Sequence, residues 1–103
     1  RRDGAAAGMN PHDEVKRGDE AQRILAHPLY KEAWQSYEAV LLELLASAAT
    51  PADKAVEVRA WLIAARKARG HLERIVNEGK VAQEQIRQEE SRKSIKQRIR
   101  AAF

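Results

Sequence analysis

The chain of 103 residues has no cysteine and few glycines, prolines or aromatic residues. Without cysteine it can form neither disulfides nor thiolate metal sites, and this fits a reducing intracellular compartment. No apolar run approaches the roughly 20 residues that a membrane-spanning helix needs, so we expect no membrane partner. The sequence also lacks a Gly-rich phosphate loop and any His or carboxylate pair with metal-ligand spacing on one helical face. We therefore expect no catalytic residues, no metal, no cofactor and no enzymatic activity.

The sequence does contain two stretches whose apolar residues recur at alternating steps of three and four, the spacing of an amphipathic helix. The first stretch contains Tyr30, Trp34, Tyr37, Leu41, Leu44 and Ala48. The second contains Val58, Trp61, Ala65, Ala68, Leu72, Ile75, Gly79, Ala82 and Ile86. A short Thr-Pro turn joins them, so the pattern predicts an all-α fold built on a long, coiled-coil-like antiparallel helical hairpin.

The two apolar stripes predict self-association, because two helices alone bury too little surface to make a stable domain. We therefore expect a homo-oligomer. The residues expected to build it are Trp34, Tyr37, Leu41, Leu44, Val58, Trp61, Leu62, Leu72 and Ile75. Tryptophans within such stripes pack in a core or at a subunit contact more often than they bind a ligand.

The N-terminal segment is expected to be irregular. Residues 1–8 are interpreted as tag-like or upstream sequence ahead of a natural start at Met9. Together with the polar segment that follows, broken by Pro11 and Gly18, they predict a mobile N-terminal arm over residues 1–18.

Capping signals place the helices of the hairpin domain, which we assign to residues 19–80. Asp19 is expected to cap a short N-terminal helix that ends at Ala26, and His27 and Pro28 mark the break after it. The first long helix is expected from about Pro28 to Ala48. The second is expected to begin at Thr50-Pro51, with Thr as N-cap and Pro in the first helical position, and to continue past Gly79.

Positive charge concentrates at the C-terminal end. Residues 1–79 contain 12 basic and 12 acidic residues, whereas residues 80–103 contain 7 and 3, so the net charge of +4 comes from the last quarter. We predict a basic amphipathic tail over residues 81–103, with a thin apolar stripe of Ile95, Ile99 and Phe103. A basic helix binds phosphates through counterion release without reading base sequence. The candidates for contacts with nucleic acid or a motor protein are Arg87, Arg92, Lys93, Lys96, Arg98 and Arg100. The alternative is a solvated helix in which Glu89 and Glu90 pair with Arg92 and Lys93.

A second possible basic face lies on the second long helix, opposite its apolar stripe. It consists of Arg59, Arg66, Lys67, Arg69 and Arg74, whereas the first long helix is mostly acidic. The two helices could be complementary within one hairpin, or the basic face of one copy could meet the acidic face of the next in a ring. An ordinary solvated face is the third possibility. His71, beside the apolar stripe, is expected to be partly buried rather than a ligand.

In the order of these features, the chain resembles small all-helical proteins of tailed-phage packaging modules, and small terminase subunits in particular. The resemblance is carried by residues 24–33, the long amphipathic helix and short acidic turn after them, and the segments 58–66, 70–73 and 79–80. It implies a viral protein of the host cell cytoplasm that forms a ring through its hairpin. Such a protein recognises the double-stranded DNA to be packaged and delivers it through a C-terminal segment to the large terminase subunit.

One part of the family pattern is missing here, because a helix-turn-helix needs two short helices and only one precedes the hairpin. We therefore expect weak, non-specific DNA binding by a non-enzymatic, oligomeric packaging adaptor. Two alternatives fit the same sequence features. One is a phage head or assembly protein that is indifferent to DNA, and the other is a small helical inhibitor or regulator that docks on a host protein.

Overall fold

A computed structural model describes residues 9–102, which form three helices. They are α1 (Pro11–Ala26), α2 (Pro28–Ala46) and α3 (Ala52–Ala102), and no strand occurs within the described residues. The prediction of an all-α helical hairpin with a preceding helix is confirmed. The interpretation of residues 1–8 and the predicted role of Phe103 lie outside the described part of the chain.

The helices form two compact units. The hairpin unit, Gln22–Glu73, holds α2 and the first part of α3. The crossing unit combines the described residues up to Ala21 with those from Arg74 onwards, so it holds most of α1 and the rest of α3. The long helix α3 therefore supplies residues to both units.

α1 begins earlier than the sequence pattern predicted. Its cap is Asn10, whose Oδ1 accepts a hydrogen bond from the Asp13 N–H at 3.0 Å and whose carbonyl accepts one from the Glu14 N–H at 3.1 Å. Pro11 then takes the first helical position, where a missing N–H costs nothing. The predicted mobile arm is therefore wrong for residues 11–18, which are helical.

The break between α1 and α2 falls where His27 and Pro28 predicted it. His27 is the N-cap of α2, because its Nδ1 accepts a hydrogen bond from the Leu29 N–H at 3.1 Å. α2 ends at Ala46, two residues before the predicted end. α3 begins at Ala52 rather than Pro51: the first N–H···O bond runs from Ala55 to Pro51 at 2.9 Å, so Pro51 rather than Thr50 lies in the cap position.

α3 passes through Gly79 without interruption, as predicted, and this glycine lies where α1 crosses α3. A Cβ atom added to Gly79 would lie 3.0 Å from the Cα atom of Gly18 and 3.1 Å from the Glu14 carbonyl oxygen. The two backbones are therefore in direct contact. Around this crossing the buried apolar residues are Ala21, Ile75, Val76 and Ala82.

The core of the hairpin unit is small. Leu41, Val58 and Leu62 are buried, and Leu45 packs against them. The inner face of α2 thus follows Leu41 and Leu45, and the predicted stripe residue Leu44 lies outside it. The apolar sector of α2 is wider than one neighbouring helix covers, so a sequence stripe alone does not tell which edge faces α3.

Candidate interaction surfaces

Two contacts between α2 and α3 set the register of the hairpin. The Arg66 Nε donates a hydrogen bond to the Glu38 carboxylate at 3.0 Å. Farther along, the Arg69 guanidinium carbon lies 5.4 Å from the centre of the Trp34 ring, within the range of a cation–π contact. Both pairs join residues at matching heights on antiparallel helices.

These contacts change the interpretation of the possible basic face. Arg66 is committed to Glu38, and Arg69 lies over Trp34 on the side that faces α2 rather than opposite the apolar stripe. The placement of Arg69 on an outer basic face is therefore wrong. Arg59, Lys67 and Arg74 are exposed. Acidic α2 and basic α3 are thus complementary within one hairpin at the Arg66–Glu38 pair, which is one of the possibilities that the sequence left open.

The nine residues predicted to build an oligomer fall into three groups. Leu41, Val58, Leu62 and Ile75 are buried within the single chain. Trp34 and Leu72 are half-buried. Tyr37, Leu44 and Trp61 are 48%, 38% and 40% exposed, so these three are free to meet another molecule. Their role in self-association stays a prediction.

The three exposed residues belong to a larger surface, which we call the apolar patch. It consists of Tyr37, Val40 and Leu44 on α2 and Trp61, Ala64 and Ala68 on α3, all of them exposed. An α-helix turns by about 100° per residue, so the three positions on each helix fall within an arc of about 60° around its axis. Because the helices are antiparallel, both arcs turn to the same side of the hairpin, away from the Arg66–Glu38 pair. The Lys54 Nζ lies 4.7 Å from the centre of the Trp61 ring at this surface.

The second surface is the distal part of α3, residues 87–102, where every residue is exposed. It carries all six cations predicted to contact nucleic acid or a motor. Arg87 forms an ion pair with Glu84, with a shortest N–O distance of 2.6 Å. The hydrogen bond from Arg87 lowers the pKa of the Glu84 carboxyl, and the same bond raises the pKa of the guanidinium.

The other five cations have no ion pair within residues 9–102. In particular, none joins Glu89 or Glu90 to Arg92 or Lys93, so the predicted alternative of an internally paired tail lacks support. Arg92, Lys96 and Arg100 follow one another at steps of four and form one stripe along the helix. Beside this stripe lie Ile95 and Ile99, which are 49% and 53% exposed.

A groove of about 300 Å³ lies in the crossing unit, between α1 and α3. Glu14, Arg74, Asn77 and Val81 are among the residues that line it. Glu14 is 6% exposed, and no pattern in the sequence pointed to its burial. Its burial follows from the helical form of residues 11–18, which the sequence interpretation missed.

Residues 9–102 contain no group of three His, Asp or Glu side chains that could hold a metal ion. His71 is exposed, contrary to the prediction that it is partly buried. Within the described residues, no helix is long and apolar enough to span a membrane. Comparisons with protein-family models, with curated proteins and with solved structures find no match to this chain.

Proposed function

We propose that this protein is a non-enzymatic, self-associating adaptor of phage-type DNA packaging. In this role the hairpin unit joins several copies, and distal α3 contacts double-stranded DNA and the large terminase subunit. The proposal combines the resemblance to small terminase subunits with the two surfaces described above.

The observation that carries the proposal is the fully exposed basic helix of residues 87–102. Arg92, Lys96 and Arg100 form a cationic stripe with no internal acidic partner in the described chain. When such a stripe binds DNA, its cations displace the counterions condensed on the phosphates, and this release favours binding without any particular base sequence. Distal α3 carries no tyrosine or tryptophan on which a base could stack, and this favours duplex over single-stranded DNA.

The apolar edge of the same segment supports contact with a protein. Ile95 and Ile99 lie beside the cationic stripe and are about half exposed. An amphipathic helix of this kind can dock into a groove through residues spaced by three and four. We assign this edge to the large terminase subunit and the cationic stripe to DNA.

DNA binding by the full chain tests the proposal. The variant replaces Arg92, Lys93, Lys96 and Arg100 by Gln, and the matched control replaces the exposed Lys16, Arg23, Lys31 and Lys80 by Gln. Both variants change the net charge equally. In fluorescence anisotropy with duplexes of two unrelated sequences, we expect the distal variant to bind at least about tenfold more weakly at physiological salt, with a flatter salt dependence. We expect the control to change affinity little.

Equal losses in both variants would mean that net charge alone governs binding, and this would contradict a DNA surface on distal α3. If the wild-type chain does not bind DNA even at low salt, the result would favour one of the two alternative functions that the sequence left open, a head or assembly protein or a regulator. Copurification of the large terminase subunit with the wild-type chain, but not with an Ile95→Asp, Ile99→Asp variant, tests the second contact.

A further inference from the structure

We propose that the apolar patch binds the same patch on a second copy of this chain, with α2 of each copy packed over α3 of the other. The inference rests on the proposed function, because an adaptor of this class joins several copies of its chain. The residues that support it all lie in the hairpin unit.

The core of the hairpin unit is too small to stabilise two helices alone. Among the described residues of the hairpin unit, the buried apolar side chains are Leu41, Val58 and Leu62. Two-helix units with so few buried residues need a further source of stability. The patch places two aromatic rings, Tyr37 and Trp61, beside Val40 and Leu44 on one face, and exposed apolar clusters of this kind mark interaction sites.

The face that carries the patch is close to the size of a protein interface. The face formed by α2 and the facing part of α3 is about 28 Å long and about 20 Å wide, or roughly 560 Å² in projection, from the rise and diameter of an α-helix. Its accessible area exceeds the projection because side chains make the surface uneven. It therefore approaches the roughly 800 Å² that each partner contributes to a standard interface. One further hairpin is the right size to cover it.

The position of the patch also fits a second copy. The Arg66–Glu38 pair lies on the other side of the hairpin, so contact through the patch leaves this ion pair outside the interface. A two-fold axis parallel to the helices places α2 of each copy over α3 of the other, with neighbouring helices antiparallel. The product is a four-helix bundle.

Self-association of the full chain tests the inference. The variant is Val40→Lys, and the matched control is Leu42→Lys, on the same helix but off the patch. Both positions are exposed, so neither change disturbs the core, and circular dichroism verifies that the helices persist. By sedimentation equilibrium we expect Val40→Lys to raise the self-association Kd by about a hundredfold, because it buries an unpaired charge in the interface. We expect Leu42→Lys to leave the Kd almost unchanged.

A mixing experiment tests the orientation. The Glu38–Arg66 and Trp34–Arg69 contacts place Val40 level with Ala64 of its own hairpin, so the two-fold axis brings Val40 of one copy onto Ala64 of the other. Chains carrying Val40→Lys and chains carrying Ala64→Glu should each associate poorly. Mixed, they should form a heterodimer more tightly than either variant forms a homodimer, because one Lys–Glu pair replaces the mismatched contacts.

The outcomes separate this inference from the proposed function. A Kd that Val40→Lys leaves unchanged, or that both lysine variants raise equally, would overturn the patch as the contact. Variants that do not prefer each other in the mixture would overturn the arrangement of α2 over α3. A chain that pairs through the patch but ignores DNA would keep the inference and refute the proposed function.

Discussion

Gly18 and Gly79 lie against each other where α1 crosses α3, and a Cβ atom on either residue would come within 3.0 Å of the other's Cα atom. No side chain separates the two helices at this point. In the sequence, Gly18 was one reason to predict an irregular arm. In the structure, its lack of a side chain allows the regular helix α1 to approach α3. A residue that weakens a helix locally can thus stabilise its packing.

The glycine crossing gives the first prediction. We expect Gly79→Ala to lower the free energy of unfolding by about 1–2 kcal/mol, because the cost of overpacking exceeds the gain of about 1 kcal/mol in helix propensity. Gly70→Ala is the matched control on the same helix, since its Cβ would meet nothing within 4 Å, and it should stabilise the chain. Urea unfolding at one protein concentration measures both. Equal stabilisation by the two alanines would contradict the crossing.

The hairpin core gives the second prediction. Leu41 is 3% exposed and its neighbour Leu42 is 44% exposed, so the two leucines of one helix differ strongly in burial. We expect Leu41→Ala to cost about 2–4 kcal/mol, as truncation of buried leucines does, and Leu42→Ala to cost less than about 1 kcal/mol. Thermal unfolding followed by circular dichroism compares them. A larger loss for Leu42→Ala would mean that α2 is rotated relative to the described structure.

The start of α2 gives the third prediction. His27 caps this helix through its Nδ1, so His27→Ala should cost about 1 kcal/mol, the usual loss for a side-chain N-cap. His27→Asn should retain the stability, because its amide oxygen can accept the same N–H. Differential scanning calorimetry distinguishes the two variants. If Asn and Ala are equally destabilising, the cap does not contribute to stability.

Much of the fold could be predicted from the sequence, and the residues show why. The periodic apolar residues around Leu41 and Leu62 predicted the hairpin, and Pro28 marked the break before α2. The start of α1 was missed although Asn10, Pro11 and Asp13 form a helix-start signal of the kind that was recognised at Thr50-Pro51. The polar composition of that segment suggested a mobile arm, but α1 packs against α3 through small residues, which leave no apolar periodicity to detect.

The interaction surfaces were predictable in part. The cations of distal α3 are visible as a change in composition, and the structure adds that they are exposed and that Arg92, Lys96 and Arg100 share a stripe. From the sequence, the residues of the apolar patch could not be distinguished from core residues, because α2 is apolar over a wide sector. The contacts of Glu38 and Trp34 with α3 show which edge of α2 is covered within the hairpin. The other edge of α2, which carries Val40, is exposed.

The native mass of the full chain, measured over a range of protein and salt concentrations, tests the central claim that this protein acts as a self-associating adaptor. We predict a discrete assembly with an even number of copies, since patch-to-patch contact joins chains in pairs, and dissociation in the Val40→Lys variant. A wild-type chain that remains monomeric at every concentration would contradict the account.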